Sequence, residues 1–84
     1  MERSEVFERL NQVFREVFDD DAITVTEETT AADVAGWDSL MHITLIAEVE
    51  EEFDMKFPMK SVVGMKNVGD MVDVILEADE SAPP

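Results

Sequence analysis

The chain contains no cysteine. Disulfides and thiolate chemistry from its own side chains are therefore excluded. Glycine and proline are scarce, three of each, and helix formers are frequent, which favours an all-α fold. No apolar run approaches the roughly 20 residues of a membrane span. The first residues are polar and helical in pattern rather than those of a secretory signal, so the cytoplasm is the expected location. Positive charge is scarce too: 6 Lys and Arg stand against 21 Asp and Glu, a net charge of −15. Nucleic acid and anionic membrane surfaces would be repelled, and basic protein surfaces are the natural partners. With 84 residues the chain makes one small domain that buries about 60–65% of its extended surface. That leaves no room for an enclosed enzyme cleft with its scaffold, and a surface site is expected.

The acids are unevenly spread. Between Glu16 and Asp54 there is no Lys or Arg but there are 13 acids. Asp19-Asp20-Asp21 lacks the ligand spacing, glycine and closing glutamate of a calcium loop, and no metal site is expected. Nothing in the pattern calls for an obligate dimer, so a monomer is expected.

Apolar residues recur at helical spacing in three stretches. Val6, Leu10, Val13, Phe14 and Val17 mark a first helix over residues 4–18, with Ser4 as its N-cap and a frayed end at the aspartates. Leu45, Ile46, Val49 and Phe53 mark a second over residues 39–53, capped by Asp38. Val68, Met71, Val72 and Ile75 mark a last one, with Asn67 as cap and Asp70 as a first-turn acid. Phe57-Pro58 breaks the chain before a short helical turn at residues 59–65. The result is a small four-helix bundle, three main helices and one short, over residues 1–78. Its core centres on Phe14, Leu45, Val49, Phe53 and Ile75. Residues 79–84 read as a disordered tail. The connection over residues 19–37 is unusually long for so small a domain, and such loops are often functional. Ile23, Val25 and Val34 should pin it to the bundle, and Gly36 lets it turn.

That loop delivers Gly36-Trp37-Asp38-Ser39-Leu40. Ser39 falls in the first turn of the second helix, at the positive end of its dipole, where a hydroxyl is exposed and a phosphate is well placed. His42 is one turn on, but nothing is placed to orient its ring and no oxyanion site accompanies it. A surface or partner-contacting histidine is expected, not a catalytic dyad. The same helix closes with Glu50-Glu51-Glu52-Phe53 before Phe57-Pro58, and Val68-Gly69-Asp70 opens the last helix.

Over residues 4–78 this pattern resembles the acyl carrier proteins. The resemblance implies a carrier rather than an enzyme, with a 4′-phosphopantetheine arm on Ser39 and Asp38, Leu40 and Trp37 beside it. A phosphopantetheinyl transferase would move the arm from coenzyme A, and the arm would hold acyl groups as thioesters. Acyl-loading and acyl-processing enzymes with basic docking surfaces would meet Met41, Ile43, Thr44, Glu48, Glu51, Glu52, Val62 and Met65. The acyl chain would tuck between the second and third helices against Ile43, Ala47, Val62 and Met65, with Met41 and Met59 near the arm. The family's fatty-acid members commonly carry acids where this chain has Met41 and Thr44. They also have an acidic short third helix, where this chain has Lys60 and Lys66. A specialised pathway, polyketide-like, lipid or cell-envelope, fits better than bulk fatty-acid synthesis. A peptidyl or aminoacyl carrier, or an unmodified acidic interaction module, are the alternatives.

Overall fold

Val6, Leu10, Val13 and Phe14 form one buried stripe along α1 (Arg3–Val17). A helix this short is marginal on its own, and what holds it is the burial of that stripe against α2 (Ser39–Phe53) and α4 (Val68–Ser81). Between the last two lies the short α3 (Met59–Gly64). The computed structural model describes residues 1–81. Among these there is no strand, and the fold is an all-α bundle of three main helices and one short one with a long first loop. Phe14, Leu45, Val49, Phe53 and Ile75 are all buried, joined by Leu10, Val68, Met71 and Val72.

Both ends of α1 differ from the sequence expectation. Ser4 is not the cap. The Val6 N–H already donates to the Glu2 carbonyl, so the helix begins at Arg3, and Glu2 caps it without a side-chain bond. Arg3 is fixed from outside, bonded through its guanidinium to Glu27 in the loop and Asp73 on α4. Those bonds hold the Glu27 carboxyl below the usual carboxylate range. The stability this adds is present above that range and is lost as the pH falls through the lowered value.

The other end does not fray. The Asp20 N–H reaches back to the Arg15 carbonyl (3.0 Å) and the Asp19 N–H to Glu16 (3.4 Å), with Asp19 at φ 50°. This is a Schellman termination with aspartate in the left-handed position. The end of α2 repeats it. Met55 donates to the Glu50 carbonyl (3.0 Å) and Asp54 to Glu51 (3.3 Å), with Asp54 at φ 51°. In both places a side chain sits where glycine is favoured, and a negative charge meets the negative end of a helix dipole. Asp19→Gly and Asp54→Gly should therefore each stabilise the fold by about 0.5–1 kcal/mol, read as a higher urea midpoint.

The first loop is tied down along its length. Arg15 donates from Nε to the Ile23 carbonyl (2.7 Å), and the Val25 N–H donates to Asn11 Oδ1 (2.6 Å). Val25 and Val34 are buried and Ile23 packs against the core, so all three apolar anchors pin the loop as expected. A short 3-10 turn, Ala31–Asp33, follows Thr30, whose N–H is taken by Asp33 Oδ2 (2.9 Å). The loop also grips the start of α4: the Val68 N–H donates to the Thr29 carbonyl (2.8 Å) and the Gly69 N–H to Glu27 (3.0 Å). Gly69 is required there, because a Cβ would lie 2.8 Å from the Glu27 carbonyl oxygen. Gly69→Ala should cost about 1–3 kcal/mol and unprotect the Val68 and residue-69 amides in hydrogen exchange.

Asn67 caps α4 as expected, its Oδ1 accepting from the Asp70 N–H (2.8 Å), while Asp70 reaches back to the Lys66 N–H (3.0 Å). The expected tail is partly helical. α4 runs on to Ser81 because Leu76 continues its apolar face and Asp79 receives the terminal amine of Met1 (3.3 Å). Residues 82–84 of that expected tail lie outside the described residues.

Candidate functional site

The first turn of α2 is built by two local devices. Gly36, at φ 87°, turns the chain out of the loop. Asp38 then caps the helix, its Oδ1 accepting from the Met41 N–H at 2.8 Å. Ser39 therefore sits at the first helical position and is exposed to solvent. Leu40 and Ile43 follow, 74% and 66% exposed.

Beside Ser39 opens a cleft of about 490 Å³ between α2 and α3. Ile43, Val62 and Met65 line it, as expected, and so do Met59 and Val63. Ala47 does not. It lies further along α2, beside Glu50 and Glu51, because it is more than a turn past the cleft's last α2 residue. Met41 is half-buried and also lies away from the cleft lining. The cleft has a polar end formed by Lys66 and Asn67. A larger hollow, about 830 Å³, lies over the first loop and touches none of the Ser39 turn.

Trp37 and His42 both border the cleft beside Ser39, and both are also tied into the fold. Trp37 is half-buried, its ring edge-on to Phe14 (centroids 5.2 Å apart) and near Phe18 (6.3 Å). It borders the cleft, but much of it belongs to the core. His42 is half-buried rather than fully exposed. It stacks on Trp37, and its Nδ1 accepts from the indole N–H at 3.1 Å. Nδ1 is then the unprotonated nitrogen, and Nε2–H is left to donate to the Val62 carbonyl at 3.3 Å. One imidazole thus joins the loop, α2 and α3. Periodicity gives no sign of this, because the contact spans a helix start and two segments distant in the chain.

The acids also separate. Thr44, Glu48 and Glu51 are exposed on α2. Glu52 faces α1, where Arg9 binds its carboxylate (2.9 Å) and its carbonyl and lies over the Phe53 ring (4.3 Å). Glu50 accepts the Phe57 N–H (2.8 Å) and turns the chain toward α3. Among the described residues no cluster of three His, Cys, Asp or Glu could hold a metal ion, and no helix is long and apolar enough to cross a membrane.

A four-helix bundle with an exposed serine opening its second long helix, no catalytic constellation around it and an apolar cleft alongside has the form of a carrier for a tethered group. Comparison with known proteins gives the same class. Residues 8–75 match the family described as the phosphopantetheine attachment site. The acyl carrier protein of Caulobacter vibrioides is 36% identical over 74 residues, covering 88% of this chain and 95% of that protein. The acyl carrier protein of Saccharopolyspora erythraea is 32% identical over 77 residues, covering 92% and 81%. The solution structure of holo acyl carrier protein from Geobacter metallireducens superposes with a TM-score of 0.83 at 37% identity, covering 94% of this chain and 95% of that one. The chain belongs to the acyl carrier protein family, whose members are carriers rather than catalysts and bear a phosphopantetheine prosthetic group.

Proposed function

We infer that the Ser39 hydroxyl is the point at which the 4′-phosphopantetheine arm is joined, through a phosphodiester, and that the chain carries acyl intermediates on it. The observation that supports this is the pairing of an exposed serine at the first position of α2 with an apolar cleft that starts beside it. The residues present fit the group. A phosphate on Ser39 meets the positive end of the α2 dipole, no acid lies in the first turn of that helix, and an apolar chain reaching past it finds Ile43, Val62 and Met65. When bound, the group supplies a terminal thiol that holds an acyl chain as a thioester.

The chain's own residues do the rest. Asp38 fixes the turn with Oδ1, which leaves Oδ2 as the atom available to a transferase's cation. In the transfer from coenzyme A, the Ser39 oxygen would bond to the pantetheine-bearing phosphorus and give up its proton, while the P–O bond of the diphosphate breaks and the adenosine bisphosphate half of coenzyme A leaves. Leu40 and Ile43 offer apolar contact to whichever enzyme reaches the serine. Glu48 and Glu51 steer that enzyme in, since weak contacts with a charged rim raise encounter rates more than affinity. Met41 and Thr44, standing where fatty-acid carriers commonly have acids, support service in a specialised pathway, polyketide-like, lipid or cell-envelope. The chain works as a monomer in this reading.

Incubating the apo-protein with coenzyme A, magnesium and a broad-specificity phosphopantetheinyl transferase should add the mass of one phosphopantetheine. An unchanged mass with several transferases would overturn the reading in favour of an unmodified acidic interaction module.

A further inference from the structure

Three arginines and three lysines supply the chain's basic side chains. The arginines hold the fold together: Arg3 binds Glu27 and Asp73, Arg9 binds Glu52, and Arg15 binds the loop carbonyl of Ile23. The lysines stand apart. Lys56, Lys60 and Lys66 all fall within residues 55–69, a stretch without a single Asp or Glu in a chain of net charge −15. All three are exposed, and none forms an ion pair among the described residues. Structural duty therefore does not explain them.

This stretch contains α3 and forms one wall of the cleft at Ser39. Met59 and Val63 on that wall are 74% and 77% exposed, and with Leu40 and Ile43 of α2 they leave four large apolar side chains in water around one serine. A cluster of this kind marks an interaction site more often than a bare surface. Its two flanks have opposite signs. Along α2, Leu40, Thr44, Glu48 and Glu51 follow one another at helical spacing on the exposed face. Lys60 and Lys66 lie on the α3 side, Lys66 lining the cleft itself.

Resting on Ser39 as the site of the arm, we propose that the enzyme which takes the acyl group docks through a face of split polarity. It presents basic residues to Glu48 and Glu51, an apolar recess to Leu40, Ile43, Met59 and Val63, and carboxylates to Lys60 and Lys66. A uniformly basic rim, suited to α2 alone, meets like charge at α3, and like-charge contacts at an interface suppress wrong partners. The two-signed pattern also admits one orientation only, which aims the cleft and its cargo at the partner's active site.

The test begins by loading the apo-chain with a broad-specificity transferase and confirming one arm by intact mass. No loading overturns the Ser39 reading and this proposal with it. The loaded chain is then assayed for kcat/KM with an acyl-processing enzyme of the producing cell, purified on its turnover of the unsubstituted loaded chain. The Lys60→Glu, Lys66→Glu double variant, with its helix content checked by circular dichroism, should lower kcat/KM about tenfold or more and change its salt dependence. An unchanged or raised kcat/KM overturns the split-polarity face while leaving Ser39 as the arm's anchor intact, since a rise means that the partner is basic across its whole rim.

Discussion

Ser39→Ala is expected to abolish loading completely while leaving the bundle as stable as before. The gain in mass with coenzyme A and transferase should fall to zero, because no other atom can accept the phosphoryl group at that place. The fold should not register the change. The cap of α2 is the Asp38 carboxylate on the Met41 N–H, and the first helical bond runs from His42 to the Asp38 carbonyl at 2.8 Å. Neither uses the Ser39 side chain, so the unfolding free energy should move by no more than about 0.5 kcal/mol, as for an ordinary surface substitution. Ser4 is the informative control, since it too is exposed in the first turn of a long helix. It lacks a capping carboxylate before it and does not line the α2–α3 cleft. Ser4→Ala should load at the rate of the unsubstituted chain. Modification that survives in Ser39→Ala and disappears in Ser4→Ala would move the site to the other helix.

Trp37→Ala should have the largest effect on stability of any change near the site. The ring touches Phe14 edge-on, packs near Phe18 and stacks on His42. Truncating a large aromatic in a packed environment costs about 3–5 kcal/mol, and the partial exposure of Trp37 puts it nearer about 2–4. Against the roughly 5–15 kcal/mol that holds a typical domain, this is a large fraction. The urea midpoint by circular dichroism should drop accordingly. Trp37→Phe keeps an aromatic ring against Phe14 and loses the indole N–H to His42 Nδ1 along with part of the ring contact, so it should cost less, about 1–2 kcal/mol. If the two variants fall together, the ring that Phe retains contributes nothing and the packing account against Phe14 is wrong. Loading of Ser39 should slow in Trp37→Ala under conditions where the fold survives, because Trp37 anchors the chain two residues before the serine.

Much of this was legible from residue order. Val6, Leu10, Val13 and Phe14 announce α1 by spacing, Asp38 and Asn67 announce two caps, and Phe57-Pro58 announces the break before α3. These are local signals, carried within a few residues. What stayed hidden depends on partners far along the chain. The start of α1 moves to Arg3 because Glu27 and Asp73 hold that side chain. The aspartates after α1 and α2 look like poor helix ends by charge, yet backbone bonds turn both into firm terminations. α4 outlasts its expected end where Leu76 packs on the core and Asp79 meets Met1. Of the residues expected around Ser39, Ile43, Val62 and Met65 do share a cleft, while Glu52 is drawn away by Arg9, which no reading of α2 alone can reveal. His42 escaped for the same reason: its bonds run to Trp37 and Val62, in the loop and in α3.

The slightness of α3 has a consequence for exchange with solvent. It is six residues long, none of them buried, and it leans on the core chiefly through Val62, with Met65 just beyond its end. So short a helix has almost no stability of its own, and elements with few buried contacts open long before a domain unfolds. Beyond that packing, one imidazole bond to the Val62 carbonyl ties α3 to α2. Local opening of this segment would leave the hydrophobic centre beneath α1, α2 and α4 in place, since none of that centre's fully buried side chains belongs to α3.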